Sequence, residues 1–282
     1  LGVADVDQVS LTAYHAGADL GTSPDPLLAI AGAVAGGTVT STIDDRLLGK
    51  AGLDRRPGIA APVDGHADGL AFTTYAHAPF SGDPEAAAEA LEDLDEANGR
   101  SVASLLAMAS VGPDDTPARA GVAIERALRP YVGGPFRTAG GYADVLNALA
   151  REAPGVGIAL ALNGDGHDEA VAIWKNRSER VHEALRNAGT ARYDGLVVAR
   201  VDGPVEPVAR LLRDFRSPEP VVLAVADGEA GVAAYDQAIG GPLATAAEAA
   251  DGSALSRGTR GFARFDAERE EAFIEGFREA LA

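Results

Sequence analysis

Two arginines near the end of the chain are candidates for binding an anionic ligand. Arg257 and Arg260 flank Gly258 and Thr259, and Ser256 precedes them. Arginine forms paired hydrogen bonds to phosphate, and neighbouring hydroxyl groups can add further contacts. The alternative is a solvated loop in which both arginines make local ion pairs. The residues alone leave both interpretations open.

A second candidate is a metal site around Asp64, His66 and Asp68, which follow the apolar residues 58–63. Two carboxylates and an imidazole that lie close together can hold a metal ion. A single cluster of this kind cannot form a two-metal centre, however, and a polar, glycine-rich turn explains the same residues. We therefore predict no metal ligand in this chain.

Residues 163–168, Asn-Gly-Asp-Gly-His-Asp, invite comparison with a calcium loop. The EF-hand spacing and its terminal glutamate are absent. A turn from a strand into a helix, with Asp165 or Asp168 near the N-terminus of the helix, explains the segment better. Backbone N–H groups of such a turn could also contact a phosphate, although nothing in the sequence makes that contact specific.

The other polar and aromatic residues indicate structure rather than catalysis. Arg210, Arg213 and Arg216 lie three apart, and we interpret them as a solvated face of a helix. Trp174 is predicted to lie in the core. No serine has the Gly-x-Ser-x-Gly setting of a nucleophile. The histidines without a plausible catalytic partner are His15, His77 and His182. We predict no catalytic residue.

The pattern of apolar residues changes near residue 130. Before it, spacings of three and four residues predict helices, which cover 3–20, 26–35, part of 38–56, 85–98, 99–110 and 118–128. After it, helical and strand patterns alternate. Gly140 and Gly141 are predicted to form a turn that opens a helix. We expect an α/β protein with two domains, a mainly helical one at 1–130 and an α/β one at 131–282 with four or five strands.

The predicted strands of the second domain are 156–162, 196–201 and 221–226, with an edge strand at 262–265. The predicted helices are 167–187, 205–215, 230–239 and 268–281.

Composition limits the classes of protein that the chain can belong to. The net charge is −18, and cysteine is absent, which excludes disulfides and thiolate metal sites. Lysine occurs only at Lys50 and Lys175, and this dispersed acidity favours a halophilic protein over one that binds a basic partner. No apolar run approaches the roughly 18 residues of a membrane span, and the N-terminus shows no basic region before an apolar one, so no signal-peptide pattern is visible. We expect a cytoplasmic protein, and Leu1 in place of Met indicates a fragment or a processed start.

Several segments carry a family resemblance: Val9–Gly37, Ser81–Ala87, Gly141–Ala148, His167–Arg186 and Ser256–Arg260. They resemble archaeal RecJ-like proteins of the DHH phosphoesterase superfamily, which includes the GINS-associated nuclease. On this resemblance, residues 1–130 correspond to the end of a DHH core and residues 131–282 to the DHH-associated domain.

The resemblance also implies differences from active members. The superfamily binds two Mn²⁺ or Mg²⁺ ions through Asp-x-Asp, a further Asp and Asp-His-His, and this chain has no Asp-His-His. Gly36 and Gly37 stand where active members have Gly-Asp, and the Gly-Gly-Gly-His loop is missing. Either the metal-binding part is absent from this chain or the protein is a degenerate member.

Three functional hypotheses follow. The resemblance implies a nucleic-acid-associated protein in DNA replication or repair, without its own metal centre or cofactor, and with GINS-like proteins as possible partners. It would bind single strands through Ser256–Arg260, in a cleft between the domains and near Gly140 and Gly141. The second hypothesis is an active Mn²⁺- or Mg²⁺-dependent single-strand exonuclease or small-phosphodiester hydrolase. The third is an unrelated α/β protein that binds an anion.

Overall fold

The computed structural model describes residues 9–38, 42–94 and 96–282, and these form two compact units. Unit 1 comprises Leu1–Ser110 and Val122–Glu179, and unit 2 comprises Val111–Gly121 and Arg180–Ala282. The domain boundary predicted near residue 130 falls inside unit 1. The first residues of the helix predicted at 3–20 lie outside the described part of the chain.

Unit 1 is built mainly of helices. The helices up to the end of this unit are α1 (Val9–Asp19), α2 (Pro26–Ala35), α3 (Asp45–Lys50), α4 (His66–Phe72), α5 (Pro84–Glu92), α6 (Gly99–Val111), α7 (Ala120–Ala123), α8 (Ala139–Glu152), α9 (Pro154–Asn163) and α10 (His167–Arg186). A short 3₁₀ helix covers Ile124–Arg126, and strands β1 (Asp54–Arg55) and β2 (Tyr131–Val132) form a small antiparallel pair. The described residues thus confirm the predicted helical character of this region, although α5 ends earlier than predicted.

A buried hydrogen-bond network joins three segments of unit 1. The Asp144 carboxylate, on α8, accepts hydrogen bonds from the backbone N–H of Thr74 at 3.1 Å and from its hydroxyl at 2.6 Å. It also accepts one from Trp174 Nε1, on α10, at 2.9 Å. Trp174 is only 1% exposed, which confirms its predicted place in the core.

The predicted strand at 156–162 is wrong, because these residues form helix α9. Pro154 occupies the first turn of α9, where proline is well tolerated, and Gly164 ends the helix with φ +74°. Ile158 and Leu162 are 61% and 77% exposed, so the apolar run is not buried. A short apolar run has no periodicity that separates a strand from a helix, and this ambiguity explains the error.

Unit 2 contains a six-stranded mixed sheet. Its elements are β3 (Gly189–Tyr193), β4 (Leu196–Arg200), α11 (Val205–Phe215), β5 (Val221–Ala226), β6 (Glu229–Ala234), α12 (Gly240–Ala249), β7 (Ser253–Arg257), β8 (Arg260–Arg264), a 3₁₀ turn (Ala267–Arg269) and α13 (Glu270–Leu281). The strand order is β3-β4-β5-β6-β8-β7. Only the β4–β5 pair is parallel, and α11 connects these two strands. The α/β class is confirmed, with six strands rather than four or five.

Helices cover both faces of the sheet. On one face, α12 and α13 supply Leu243, Phe273 and Phe277 to a core that they share with apolar residues of β4, β5 and β6. On the other face, α11 approaches β6 so closely that a Cβ at Gly231 would lie 2.6 Å from backbone atoms of Val205. Glycine is therefore required at position 231.

Several predicted elements are confirmed, but β3, β7 and α12 were not predicted, and the predictions for β6 and β8 differ from the structure. The strands at 196–201 and 221–226 and the helices at 167–187, 205–215 and 268–281 are confirmed within a few residues. The helix predicted at 230–239 is wrong, because 229–234 forms β6. Strand β8 is not an edge strand, because β7, which we did not predict, pairs with its outer side. Among the described residues, no helix is both long and apolar enough to span a bilayer.

Candidate nucleic-acid interface

Strands β7 and β8 form a hairpin that contains the predicted binding segment. Ser256 and Arg257 end β7, Arg260 begins β8, and only Gly258 and Thr259 form the turn. Gly258 has φ +55°, and glycine at the first position of a two-residue hairpin turn favours this conformation. The segment predicted to be a loop is therefore mostly strand.

The turn is fixed to the body of unit 2 by backbone hydrogen bonds. Ala234 N donates to Thr259 O at 2.8 Å, and Ile239 N donates to Gly258 O at 3.2 Å. These bonds hold the two flanking arginine backbones in place. A ligand at the tip of the hairpin would consequently meet a preorganised backbone, which lowers the entropic cost of binding.

One face of the hairpin concentrates positive charge, and we call it the arginine face. Cross-strand partners lie on the same side of a sheet, and side chains alternate along each strand. The register pairs Ser253 with Arg264, Leu255 with Phe262 and Arg257 with Arg260. These six residues form the arginine face.

The arginine face is partly exposed to solvent, and the hairpin that carries it is rich in positive charge. Leu255 is 79% exposed and the Arg264 side chain is 68% exposed. The Arg264 guanidinium lies 5.6 Å from the centre of the Phe262 ring, and its Nε donates to Glu229 at 3.0 Å. Residues 252–265 contain three arginines and no acidic residue, within a chain of net charge −18. The face thus presents a cationic and aromatic surface in a strongly acidic protein.

Sequence reasoning missed Leu255, Phe262 and Arg264 because it treated 256–260 as a loop and 262–265 as a separate edge strand, not as one hairpin. The alternation Arg260, Phe262, Arg264 has the period of two that is typical of a strand, and it was the available signal. Ser256 lies on the opposite face, since a Cβ at Gly240, on α12, would come within 2.7 Å of the Ser256 Oγ. Ser256 was predicted to contact nucleic acid, but its side chain lies on the opposite face of the sheet from the arginine face.

Gly140 and Gly141 lie in the first turn of α8 and are buried, so the predicted turn at these residues is wrong. The Thr138 side chain caps the helix by accepting a hydrogen bond from Gly141 N at 2.9 Å. A Cβ at Gly141 would lie 2.1 Å from the carbonyl carbon of Ala61. Glycine at this position therefore allows the first turn of α8 to pack closely against Ala61. These glycines belong to unit 1 and the hairpin to unit 2. Their shared role in binding nucleic acid stays a prediction.

The two aspartate-rich motifs of unit 1 line the same surface pocket. Asp64 lies 3.4 Å from Arg137 Nε, and Asp68 accepts a hydrogen bond from Lys175 Nζ at 2.6 Å. Asp168, from the second motif, lines the pocket together with Asp64, and its carboxylate lies 3.5 Å from His167 Nδ1. In the described part of the chain, no group of three or more histidine, cysteine, aspartate or glutamate side chains could hold a metal ion.

The interpretation of Arg210, Arg213 and Arg216 as a solvated face is wrong for Arg213, which is buried. Arg213 is 4% exposed, forms a buried ion pair with Asp214, and donates to Ala234 O at 2.6 Å. Arg216 is exposed, but its guanidinium donates to Leu185 O at 3.3 Å, and partial desolvation lowers the pKa of this group. Both arginines donate hydrogen bonds to groups of unit 2. The candidate cationic surface of this unit is therefore the arginine face.

The fold and the hairpin together define an α/β protein with a candidate anion-binding surface, and comparisons with known proteins place it in a family. Residues 188–279 match the family described as "Uncharacterized protein rrnAC1427, C-terminal domain". These residues run from β3 into α13. The chain is 46% identical, over 299 aligned residues, to the uncharacterized protein rrnAC1427 of Haloarcula marismortui, covering 98% of this chain and 76% of that protein. The chain therefore belongs to the rrnAC1427 family.

A solved structure with a weaker likeness is the crystal structure of RecJ in complex with Mg²⁺ from Thermus thermophilus. The TM-score is 0.41 at 18% sequence identity, with 95% of this chain and 36% of the RecJ chain covered. The chain thus spans about a third of the length of that protein. A likeness of this size does not establish a common fold.

Proposed function

We propose that this chain is a RecJ-like protein that binds single-stranded nucleic acid through the arginine face, without a metal centre of its own. The observation that carries the proposal is the arrangement of Arg257, Arg260 and Arg264 around Phe262 on one face of a hairpin. The sequence resemblance to RecJ-like proteins supplies the class of ligand.

The register of the hairpin supports a phosphate ligand. Arg257 and Arg260 are directly opposite each other, and like charges in that position destabilise a pair of strands. A phosphate at this position can accept hydrogen bonds from both guanidinium groups and so bring together two like charges.

The length of the face supports a strand rather than a single phosphate. Arg260 and Arg264 are four residues apart on β8, which separates their Cα atoms by about 13 Å at about 3.3 Å per residue. With one phosphate per about 3.4 Å of axis in a stacked strand, this distance corresponds to roughly four nucleotides. Phe262 lies between the two arginines, where a base can stack on its ring.

Aromatic stacking supports preference for single strands. Stacking of an unpaired base on an aromatic ring contributes about 1–3 kcal/mol and requires a base that is not already paired. In a duplex the bases are stacked inside the helix, so Phe262 would contribute little. The role in replication or repair is part of this proposal, whereas the GINS-like partner has no support in the relatives found and is not proposed.

The experiment is a titration of a fluorescently labelled single-stranded oligonucleotide with the full chain, read by anisotropy. We expect Phe262→Ala to weaken binding by roughly 5- to 150-fold, which corresponds to about 1–3 kcal/mol, and Phe262→Tyr to retain it. Tyr235→Phe, at a half-exposed aromatic elsewhere in unit 2, is the matched control. Equal affinity of wild type and Phe262→Ala would refute the stacking role, and no binding by wild type would refute the function.

The same preparations, incubated with Mn²⁺ at high salt, separate binding from catalysis. The proposal predicts that the oligonucleotide stays intact. Cleavage that disappears in Asp64→Ala and Asp68→Ala would replace it with the nuclease hypothesis.

A further inference from the structure

The edge of the sheet at β7 presents backbone hydrogen-bonding groups that no strand in the described part of the chain uses. β7 stands last in the strand order β3-β4-β5-β6-β8-β7. In a hairpin with a two-residue turn, the pair that closes the turn is hydrogen-bonded, and bonded and non-bonded pairs then alternate. Arg257 and Arg260 close this turn, so the backbone N–H and C=O groups of Ala254 and Ser256 point outward. An outward row of this kind is a template for a further strand.

A large apolar side chain lies at the centre of this edge. Leu255 is the middle residue of the five-residue strand β7, and its side chain is 79% exposed. Edge strands are usually protected by charged residues, by proline or by a covering segment. β7 contains no proline and no acidic residue, and its one charged residue, Arg257, stands at its end. A partner strand at this edge would remove Leu255 from water, which is favourable.

The opposite edge of the sheet, β3, is protected by charged groups. Arg192 forms an ion pair with Glu219 at 2.6 Å, and the Arg278 guanidinium lies 3.8 Å from the centre of the Tyr193 ring. Asp194 directly follows the strand. β3 also lacks a leucine, isoleucine or valine that a partner could cover. Of the two edges, β7 is therefore the one suited to pairing.

The distribution of charge also favours β7 as the place where two copies of the chain meet. Each chain has a net charge of −18, so two copies repel each other over much of their surfaces. Residues 252–265, which form the hairpin, contain no acidic residue. Helix α12 packs against β7 on the face opposite the arginines, and Glu248 is its only charged residue. Contact through β7 thus brings few carboxylates together.

The outward backbone groups and Leu255 agree on one register for two copies of β7. Antiparallel pairing of Ala254 with Ser256 of the second copy uses the outward N–H and C=O groups of both residues. Leu255 then faces Leu255 of the second copy in a non-hydrogen-bonded pair, where opposite side chains are closest. In the same register Arg257 faces Ser253 of the second copy, so no two like charges are directly opposite.

We propose that the chain forms a two-fold symmetric dimer through β7, in which two six-stranded sheets join into one continuous sheet. Each copy offers the same surface to the other, as in most dimers. Paired residues lie on the same side of a sheet, so both arginine faces lie on one side, and the second copy extends the cationic surface. One pair of strands is a small interface, so we expect the dimer to be reversible. Its formation does not require nucleic acid and is independent of the function proposed above.

The test is sedimentation velocity of the full chain without nucleic acid, over a range of protein concentrations in molar KCl, where the Debye length is about 3 Å. We expect an equilibrium between one and two chains. Leu255→Lys should raise the dissociation constant of the dimer about tenfold or more, because it replaces the leucine contact with two like charges. Leu162→Lys makes the same change at a leucine of α9 that is 77% exposed. This matched control should dimerise like wild type.

A proline variant tests the backbone pairing separately. Ala254→Pro removes an outward N–H but keeps the bonds between β7 and β8, since an edge strand tolerates proline at such a position. It should also raise the dissociation constant about tenfold or more. Thr190→Pro removes an outward N–H from the opposite edge, β3, and should have no effect on the dimer. Circular dichroism verifies that each variant is folded.

Three results would overturn the proposal. The first is wild type that stays monomeric at every concentration. The second is dimerisation like that of wild type by folded Leu255→Lys or by folded Ala254→Pro. The third is loss of the dimer in Leu162→Lys or in Thr190→Pro, because a different surface would then join the two copies.

Discussion

Replacing Arg119 should release the segment 111–121 from the rest of unit 2. Its guanidinium donates to Arg213 O at 2.6 Å, to Glu219 O at 2.8 Å and to Ser217 O. These carbonyls lie in the last turn of α11 and just beyond it, where a cation stabilises the negative end of the helix. Burial is the largest cause of the lowered pKa of Arg119, followed by the neighbouring Arg213. Arg119 therefore fastens this segment while carrying a charge that is partly removed from water.

The cost of losing this contact can be estimated from the three hydrogen bonds. A hydrogen bond from a charged group contributes about 1.5–3 kcal/mol when buried. The three bonds share one partly exposed side chain, so their contributions do not add fully. We expect Arg119→Ala to destabilise the segment by about 2–4 kcal/mol. Arg119→Lys should cost less than alanine but should not match the wild type, because an ammonium group lacks the planar fork.

Hydrogen exchange measured by mass spectrometry tests this estimate. A loss of 2 kcal/mol corresponds to a roughly 30-fold increase in local opening, so amides of 111–121 should exchange about 30 times faster or more in Arg119→Ala. The control is Arg100→Ala, which removes an arginine from an exposed position of α6. Unchanged exchange of 111–121 in Arg119→Ala, with exchange elsewhere also unchanged, would refute the reasoning.

Three further predictions concern the stability of the chain. Gly141→Ala should destabilise the chain by about 3 kcal/mol in urea unfolding, because the new methyl group would meet Ala61. Gly155→Ala should be neutral or stabilising, because a methyl group there meets open space. Equal unfolding midpoints for these two variants would contradict the packing argument. Asp144→Ala should cost about 3 kcal/mol and shift the emission of Trp174, because it removes a buried hydrogen-bond acceptor; an unchanged spectrum and midpoint would contradict this. The melting temperature should rise from about 0.1 M to molar KCl as screening reduces the self-repulsion of the −18 charge, and a constant value would count against this explanation.

Local sequence signals predicted many elements well. Helix α2 begins at Pro26, directly after Asp25, whose side chain accepts a hydrogen bond from Leu27 N at 2.8 Å, as an N-cap residue should. Strands β4 and β5 are short apolar runs between turn residues and were predicted correctly. The class of fold follows from these elements alone, because helices and strands alternate along unit 2.

The errors have physical causes that a local pattern does not contain. Residues 229–234 were predicted to be helical because alanine favours helices, but pairing with β5 and β8 makes them a strand. The arginines of α11 were predicted to be solvated because arginine usually is, but Arg213 is paired with Asp214 in the interior. Long-range pairing also explains the hairpin, since β7 becomes recognisable only when β8 lies beside it.

The candidate site was predicted only in part for the same reason. Arg257 and Arg260 were identified from residue type, which suffices for a phosphate contact. Phe262 and Arg264 required the register of the hairpin, because only the strand period brings them to the same face. The pocket of unit 1 required tertiary structure, since Arg137 and Lys175 come from separate segments.

The most direct test of the proposed function is the salt dependence of single-strand binding by the full chain. Each phosphate contact on a single strand contributes about −0.7 to the slope of log K against log salt concentration. The double variant Arg257→Gln and Arg260→Gln should therefore flatten the slope by about 1.4 and weaken binding at every salt concentration. Arg192→Gln, at the opposite edge of the same sheet, should leave the slope unchanged. A double variant with the slope and affinity of wild type would contradict nucleic-acid binding by the arginine face.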